Sequence, residues 1–600
     1  MKKLLTVIVL ALVAAAAVWV VLRVQLGQRL VTVPELLPET TQVLVEVADF
    51  KHARAQWHES DLYQIWREPT VQAWLQGTLA RLPKHQGGRQ ILEDFLQLGP
   101  THGFVALTAL ENNEPKLIGG FHFDKSPAEV RTFVERRRAE WMPKLGEANR
   151  ETIVYQQHQI ETVSVARFIF ASVADKQWYF VANDLATLKA LLDRVDHRGE
   201  KTTVSLQADA AFSDAMKHLP AESALRIFVD PRPFLEKLLP LVAMTGQSLP
   251  LDQLQRFKQV RTVAAAFGFE HGKMRETDFM AMPRLGAEEK LQRRSLGAAD
   301  ANTFLYSASR LHWPENMLAL STPAGVGLPA VLQQLTAALK TRGIAQNDVR
   351  EAFGEELEMV GDWPPDSRWP ILQATLPVKD PVRARKIAEA LTSVEISGTP
   401  WTRSEKNGAT IYNAQPFGGF VPLNFAIAVS DQMMIAGSDA AAIEAALTRT
   451  GSPAGELEKS AVFQGVAKQV PTGNSAFNYV DARLLFERAD AAVRPLLLMG
   501  AAFSPAMGKN VDPEKLPPAE AIAKHLSPIV MSQRYDGDGY VTESIGPVTF
   551  REATIGLAAA IGGMFVYFQE ALRPARGLTQ PSPFSLPTAD PSPSPTASPF

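Results

Sequence analysis

The 600-residue chain contains no cysteine. Disulfides, thiolate zinc sites, iron–sulfur clusters and cysteine nucleophiles are therefore excluded. It also lacks an excess of either charge: 61 basic residues stand against 64 acidic ones, a net charge of −3. A chain-wide nucleic-acid surface needs a basic excess, so nucleic acid is not an expected partner. Catalytic signatures are missing as well. Gly508-Lys509 is followed by Asn510 and lacks the upstream glycine of a phosphate loop. No Gly-x-Ser-x-Gly elbow occurs, and no serine is followed three residues later by lysine. The eleven histidines are scattered, with no His-Glu-x-x-His pair to place two zinc ligands on one helix face. No catalytic, cofactor-binding or metal-ligating residue is assigned, and no cofactor is expected.

What is present is folded chain between two unusual ends. Hydrophobic content of 46% and charged content of 21% are those of a globular protein. At roughly 150 residues per domain, the length suggests about four domains as a loose prior. Lys2 and Lys3 precede an apolar run from Leu4 to Leu22 that carries no charge. At about 1.5 Å per residue, such a run crosses a bilayer core of roughly 30 Å. Ala14 to Ala17 resemble a signal-peptide cleavage site, but Val18 to Leu22 continue the apolar stretch. An uncleaved transmembrane anchor is the preferred reading, ahead of a removed signal and of a buried soluble helix. The basic start favours a cytoplasmic N-terminus, which puts the bulk of the chain outside the cytoplasmic membrane.

The most informative feature is an internal repeat. Leu117 to Pro127 resembles Ile371 to Pro381. Phe170, Asp184, Leu188 and Arg194 recur at one constant spacing as Phe425, Asp439, Ile443 and Arg449. Phe212, Lys217, Pro220, Asp230, Arg232 and Glu236 recur at a second as Phe463, Lys468, Pro471, Asp481, Arg483 and Glu487. Within each copy, apolar β-rich runs read as strands: Val43–Val47, Trp178–Val181 and Leu225–Val229 in the first, Thr303–Tyr306, Met433–Ala436 and Ala476–Val480 in the second. Asp184, Asp439, Asp230 and Asp481 follow strands as helix N-caps. Hairpins turning at Glu270–Lys273 and Asp536–Gly539 close the copies. The expected fold is α+β: a tandem duplication of an antiparallel-rich sheet with packed helices, behind an N-terminal transmembrane helix. The segments are 1–29 (anchor and linker), 30–285 (first repeat), 286–295 (linker) and 296–550 (second repeat). Residues 551–572 form a second hydrophobic helix and 573–600 a disordered Pro/Ser-rich tail. Ala553 to Phe568 falls just short of the usual spanning length of about 17–25 residues. It either spans the membrane or packs on the second repeat.

This layout resembles an uncharacterised bacterial domain-of-unknown-function family of envelope-associated proteins with an N-terminal hydrophobic segment. Its opening strand has the type Leu-Leu-Pro-(Glu/Ala)-(Asp/Glu)-Thr, read here as Leu36-Leu37-Pro38-Glu39-Thr40-Thr41. The resemblance covers most of residues 30 to 550. It brings no catalytic residues and implies an envelope-associated protein.

Several clusters have both a chemical and a plain structural reading. His122 and Asp124 read as two ligands on one strand, or as an ordinary strand end. His58-Glu59 reads as a helix surface, and Asp536–Gly539 as a hairpin turn rather than half a calcium loop. Arg131 with Arg136–Arg138, and Arg383, Arg385 and Lys386, read as a contact for anionic lipid or wall polymer, or as solvated helix faces. Trp57, Tyr63, Trp66 and Trp74 read as a carbohydrate groove or partner interface, or as core, which their spacing favours. The expected function is that of a membrane-anchored cell-envelope protein, a non-enzymatic binding or scaffolding module with a protein or cell-wall polymer partner. The alternative is an envelope hydrolase with a dispersed active site.

Overall fold

A computed structural model of the chain describes residues 32–79, 94–111, 114–141, 148–165, 168–196, 204–236, 257–286, 290–311, 335, 337–395, 399–415, 424–449, 455–503 and 516–557. The expected anchor at Leu4–Leu22 and the tail from residue 573 lie outside them. Among the described residues, no helix is long and apolar enough to cross a membrane.

The fold is α+β around one antiparallel sheet, of twenty strands among the described residues. The first ten are β1 Val43–Val47, β2 Pro100–Glu111, β3 Glu114–Phe123, β4 Ala148–Tyr155, β5 His158–Val165, β6 Phe168–Asp175, β7 Trp178–Ala182, β8 Leu225–Val229, β9 Thr262–Glu270 and β10 Lys273–Ala281. The second ten are β11 Thr303–Arg310, β12 Glu356–Asp362, β13 Ile371–Pro377, β14 Thr402–Lys406, β15 Ala409–Ala414, β16 Phe425–Val429, β17 Met433–Gly437, β18 Ala476–Val480, β19 Ile529–Tyr535 and β20 Gly539–Gly546. Their order in space is 4-5-6-7-3-2-1-8-9-10 in the first half. In the second half it is 14-15-16-17-13-12-11-18-19-20, the same order strand for strand.

The two halves meet edge to edge. Strand β10 pairs antiparallel with β20, from Met274 opposite Gly546 to Ala281 opposite Gly539. The repeat aligns Leu225 with Ala476, whose partners in the next strand are Phe267 and Gln533. Following the hairpins from there makes Thr277 the counterpart of Glu543, and these two face each other. A pseudo-twofold axis therefore passes through this pair. The pairing also removes an edge from each half, leaving β4 and β14 as the outer edges among the described strands; β14 reads Thr-Arg-Ser-Glu-Lys and is exposed throughout, a charged edge that resists further strand addition.

Eight helices carry most of the packing: α1 Phe50–Glu59, α2 Pro127–Trp141, α3 Leu185–Val195, α4 Ala210–Lys217, α5 Pro381–Leu391, α6 Ala440–Arg449, α7 Ala461–Ala467 and α8 Ala482–Phe503. Side chains alternate across a strand, so each strand contributes to both faces of the sheet. Face A presents Leu44, Phe104, Ile118, Phe180, Phe228 and Phe279 to α3 and α4. In the second half, Tyr306, Tyr479 and Val530 meet Phe463 of α7. Ile411, Met433 and Ile435 meet Ile443 and Ala446 of α6. Face B presents Val47 and Leu225 to Phe50 of α1, and Phe123 to Val130 of α2. It presents Tyr412 and Val429 to Ala384 and Ile387 of α5, and Phe304 to Ala492 of α8. Gly120 on β3 makes room on face A: a Cβ there would lie 2.6 Å from Phe180 and 2.8 Å from Phe104.

The helices start where the sequence places their caps. Asp184 accepts from the Thr187 backbone N–H at 2.8 Å, and Asp439 from that of Ala442 at 2.8 Å. Asp184 also accepts from Thr187 Oγ1 at 2.8 Å and Lys116 Nζ at 3.2 Å. Burial alone would push its carboxyl up, but these donors outweigh it and hold the pKa below the ordinary range. Asp439→Ala should lower stability by about 1 kcal/mol and Asp184→Ala by up to about 2, the range for a lost cap. Urea denaturation of the two variants checks this order.

The segment between the halves is bolted to β12. Glu356 accepts the backbone N–H groups of Gln292 and Arg293 at 2.8 and 2.7 Å. Glu358, 1% exposed, accepts from Ser295 N at 2.9 Å, Ser295 Oγ at 2.5 Å and Tyr306 OH at 2.9 Å. Leu296 then enters the face-A core of the second half.

Candidate functional site

The seam between the halves concentrates charged groups on both faces. On face A, Glu543 sits at the pseudo-twofold axis and takes Arg534 at 2.8 Å and Arg275 at 3.0 Å. Arg275 also pairs with Glu270 at 2.8 Å and donates to the Gln469 carbonyl at 3.2 Å. Beside it, His218 stacks on Phe279, with ring centroids 3.9 Å apart, and lies 3.4 Å from Asp536 of the other half. On face B, Glu276 and Asp278 project side by side from β10 under the short helix 550–557. Arg551 of that helix lies 2.9 Å from Glu276 and also pairs with Asp278. Burial, then the charge of Glu276, pushes the Asp278 carboxyl up to about 7 against the pull of Arg551, and Glu552 adds to the rise. A further link closes the helical layer: Glu68 takes Lys524 and His525, each at 2.7 Å.

A cleft of about 320 Å³ lies beside the start of α3. The Lys116–Asp184 pair and Thr108, Thr187 and Arg194 give it a polar wall, and Leu36 and Ile118 an apolar one. Asp184 is spent there on capping and on Lys116, so the cleft brings together no nucleophile and base.

The clusters weighed in the sequence are dispersed by the fold. His122 Nδ1 lies 2.6 Å from Thr101 Oγ1 and its ring packs edge-on to Trp178, while Asp124 is exposed beyond the strand end. His58 stacks on Tyr63 with ring centroids 4.4 Å apart. Asp536–Gly539 forms the hairpin turn, with Gly537 at φ +64°. Of the basic residues weighed on α2 and α5, Arg131 and Lys386 are exposed, and the others are tied to carboxylates. Arg136 and Arg137 pair with Asp94, Arg138 with Glu135 and Glu161, Arg383 with Asp348, Glu351 and Asp380, and Arg385 with Asp431. Trp57 packs on Phe269, ring centroids 5.8 Å apart, as a core reading requires. Trp66 is 46% exposed and departs from it, because its helix Asp61–Arg67 buries no residue fully. The Lys509 region lies outside the described residues. Among the described residues, no group of three or more histidine, aspartate or glutamate side chains could hold a metal ion.

The sequence reading missed the buried carboxylates of β10 and β12. Their signal was an alternation of acidic residues, Glu356 and Glu358 or Glu276 and Asp278, which in an isolated strand marks a solvent-facing side.

No family model matches the chain, and no curated protein is similar to it. Among solved structures, crystal form III of TP0453 is similar over 43% of this chain and 83% of that one, at 9% identity and a TM-score of 0.26. Crystal form I of TP0453 is similar over 44% and 82%, at 9% identity and a TM-score of 0.24. At these scores the likeness carries no argument about fold or function.

Proposed function

We propose that the protein is a membrane-anchored cell-envelope protein whose tandemly duplicated module serves as a binding or scaffolding platform. The observation that carries this reading is the repeated strand order joined through β10 and β20. Two like units fused edge to edge make one long sheet, with equivalent surfaces disposed about a pseudo-twofold axis. That arrangement suits holding a partner, a protein or a wall polymer, more than enclosing a substrate. The anchor is the uncharged run Leu4–Leu22, inserted with the N-terminus in the cytoplasm and the sheet outside. The resemblance at Leu36–Thr41 to an envelope-associated family supports the same location.

Fractionation of cells with an alkaline wash, followed by protease on spheroplasts, tests this reading. The full chain should stay in the membrane pellet after the wash, and external protease should digest both halves. Halves that stay intact until the membrane is dissolved would overturn the orientation, and release by the wash would overturn the anchor.

A further inference from the structure

Exposed apolar side chains are distributed unequally between the two sides of the sheet. Among the described residues, fifteen large apolar side chains are exposed. Strand alternation places Val154, Phe170, Val181, Met280 and Leu372 on face B, because Ile160, Ala171, Phe180, Phe279 and Val360 define face A. Trp66 follows α1, Val382 belongs to α5, and Leu498 and Met499 belong to α8, all in the face-B layer. Ile555 and Leu557 sit on helix 550–557, which Arg551 fixes to face B at the seam. Eleven of the fifteen thus lie on face B. Only Ile169 and Val462 lie on face A, and Val204 and Phe257 lie in connections. Soluble surfaces carry single exposed apolar residues routinely; a bias of this size to one side, contributed by both halves, marks a side that meets something apolar.

We propose that the helical layer on face B is the side of the protein that lies against the lipid bilayer. This deepens the membrane-anchored reading and rests on it. The occupant follows from where the chain goes. From Ile555 and Leu557, at 62% and 48% exposure, the sequence runs on through an apolar stretch to Phe568. The sixteen residues Ala553 to Phe568 carry no charge, and Ile555 and Leu557 at their start are already exposed at face B, which favours an apolar medium on that side. The charges of the layer fit the same conclusion. Arg136, Arg137 and Arg138 of α2 and Arg383 and Arg385 of α5 are held by carboxylates, so contact is more apolar than electrostatic. A bilayer of zwitterionic phosphatidylcholine should suffice, and high salt should not lift the layer away.

The absence of cysteine makes the test direct. Single-cysteine variants of the full chain, Met499→Cys and Leu557→Cys on face B and Ile169→Cys and Val462→Cys on face A, are labelled with a fluorophore. They are reconstituted in phosphatidylcholine vesicles containing acyl-chain nitroxide lipid. The expected result is loss of emission at 499 and 557, retained emission at 169 and 462, and no change in high salt. Undiminished emission at 499 and 557, or equal loss at all four sites, would overturn the proposal. So would a blue shift at 499 and 557 without quenching, which marks cover by protein. A fifth probe, Trp19→Cys, reports the anchor separately: quenched at 19 but not at 499 or 557, the chain is anchored and face B is not its membrane side.

Discussion

Glu358→Ala is expected to lower the unfolding free energy by about 3–5 kcal/mol, the largest effect of any single change considered. The carboxylate is 1% exposed and accepts from Ser295 N, Ser295 Oγ and Tyr306 OH. Alanine would leave all three donors buried without an acceptor, at roughly 1–3 kcal/mol for each group that water cannot reach. Burial holds the Glu358 pKa above the ordinary carboxylate range, with the charge of Glu356 adding to the rise, although the Ser295 and Tyr306 donors pull it down. Tyr306→Phe removes one donor, keeps the ring, and should cost only about 1 kcal/mol. Because Ser295 precedes Leu296 in the face-A core, Glu358→Ala should also loosen the segment between the halves. Urea denaturation with an unchanged m-value measures the first effect, and hydrogen exchange at residues 290–299 the second.

Asp278→Asn should act in the opposite direction and raise stability at pH 8 by on the order of 2–4 kcal/mol. The sign follows from the folded-state value of about 7 against the ordinary value of 3.8. A carboxyl whose pKa is raised by folding is held more tightly as the neutral acid. Its ionisation therefore costs stability progressively as pH rises from about 4 to about 7, and the loss is complete above that. Asparagine keeps the size and does not ionise, so the variant should match the wild type near pH 4 and exceed it increasingly up to pH 7. Arg551 would retain Glu276 as its partner. Thermal melts of both proteins from pH 4 to pH 8 give the comparison. A variant less stable than the wild type at pH 8 would mean that the Arg551–Asp278 pair outweighs the burial of charge.

The strands and their caps were legible because each is a local matter. Val43–Val47, Leu225–Val229 and Ala476–Val480 are β-branched and aromatic runs, and they form strands over those same residues. Asp184, Asp439 and Asp481 each follow such a run, and each caps a helix. The hairpin turns were legible from Gly272 and Gly537, which take φ values of +79° and +64°. The seam was not legible. Met274-Arg275-Glu276-Thr277-Asp278 alternates charges with other residues on both faces, and no local pattern names β20 as its neighbour. The pairing joins residues nearly half the chain apart, from Met274 with Gly546 to Ala281 with Gly539, and the acidic residues under Arg551 become buried only once it forms. Trp66 was misjudged for a related reason: its spacing from Trp57 and Tyr63 suits a core, yet the core on that side is already filled by Phe50 and Trp57.

One measurement bears most directly on the claim that two like halves form a single sheet. In the cysteine-free chain, Asp278→Cys with Thr542→Cys places two thiols on facing residues of β10 and β20. Facing Cα atoms in an antiparallel pair lie about 4.5–5.5 Å apart, within reach of a disulfide. Met274→Cys with Thr542→Cys is the control, because Met274 faces Gly546 and is displaced by four residues, about 13 Å along the strand. Mild oxidation followed by non-reducing electrophoresis should show an internal crosslink in the first variant, in a monomer, and none in the second. A crosslink in the control alone, or only between separate molecules, would contradict the joined sheet.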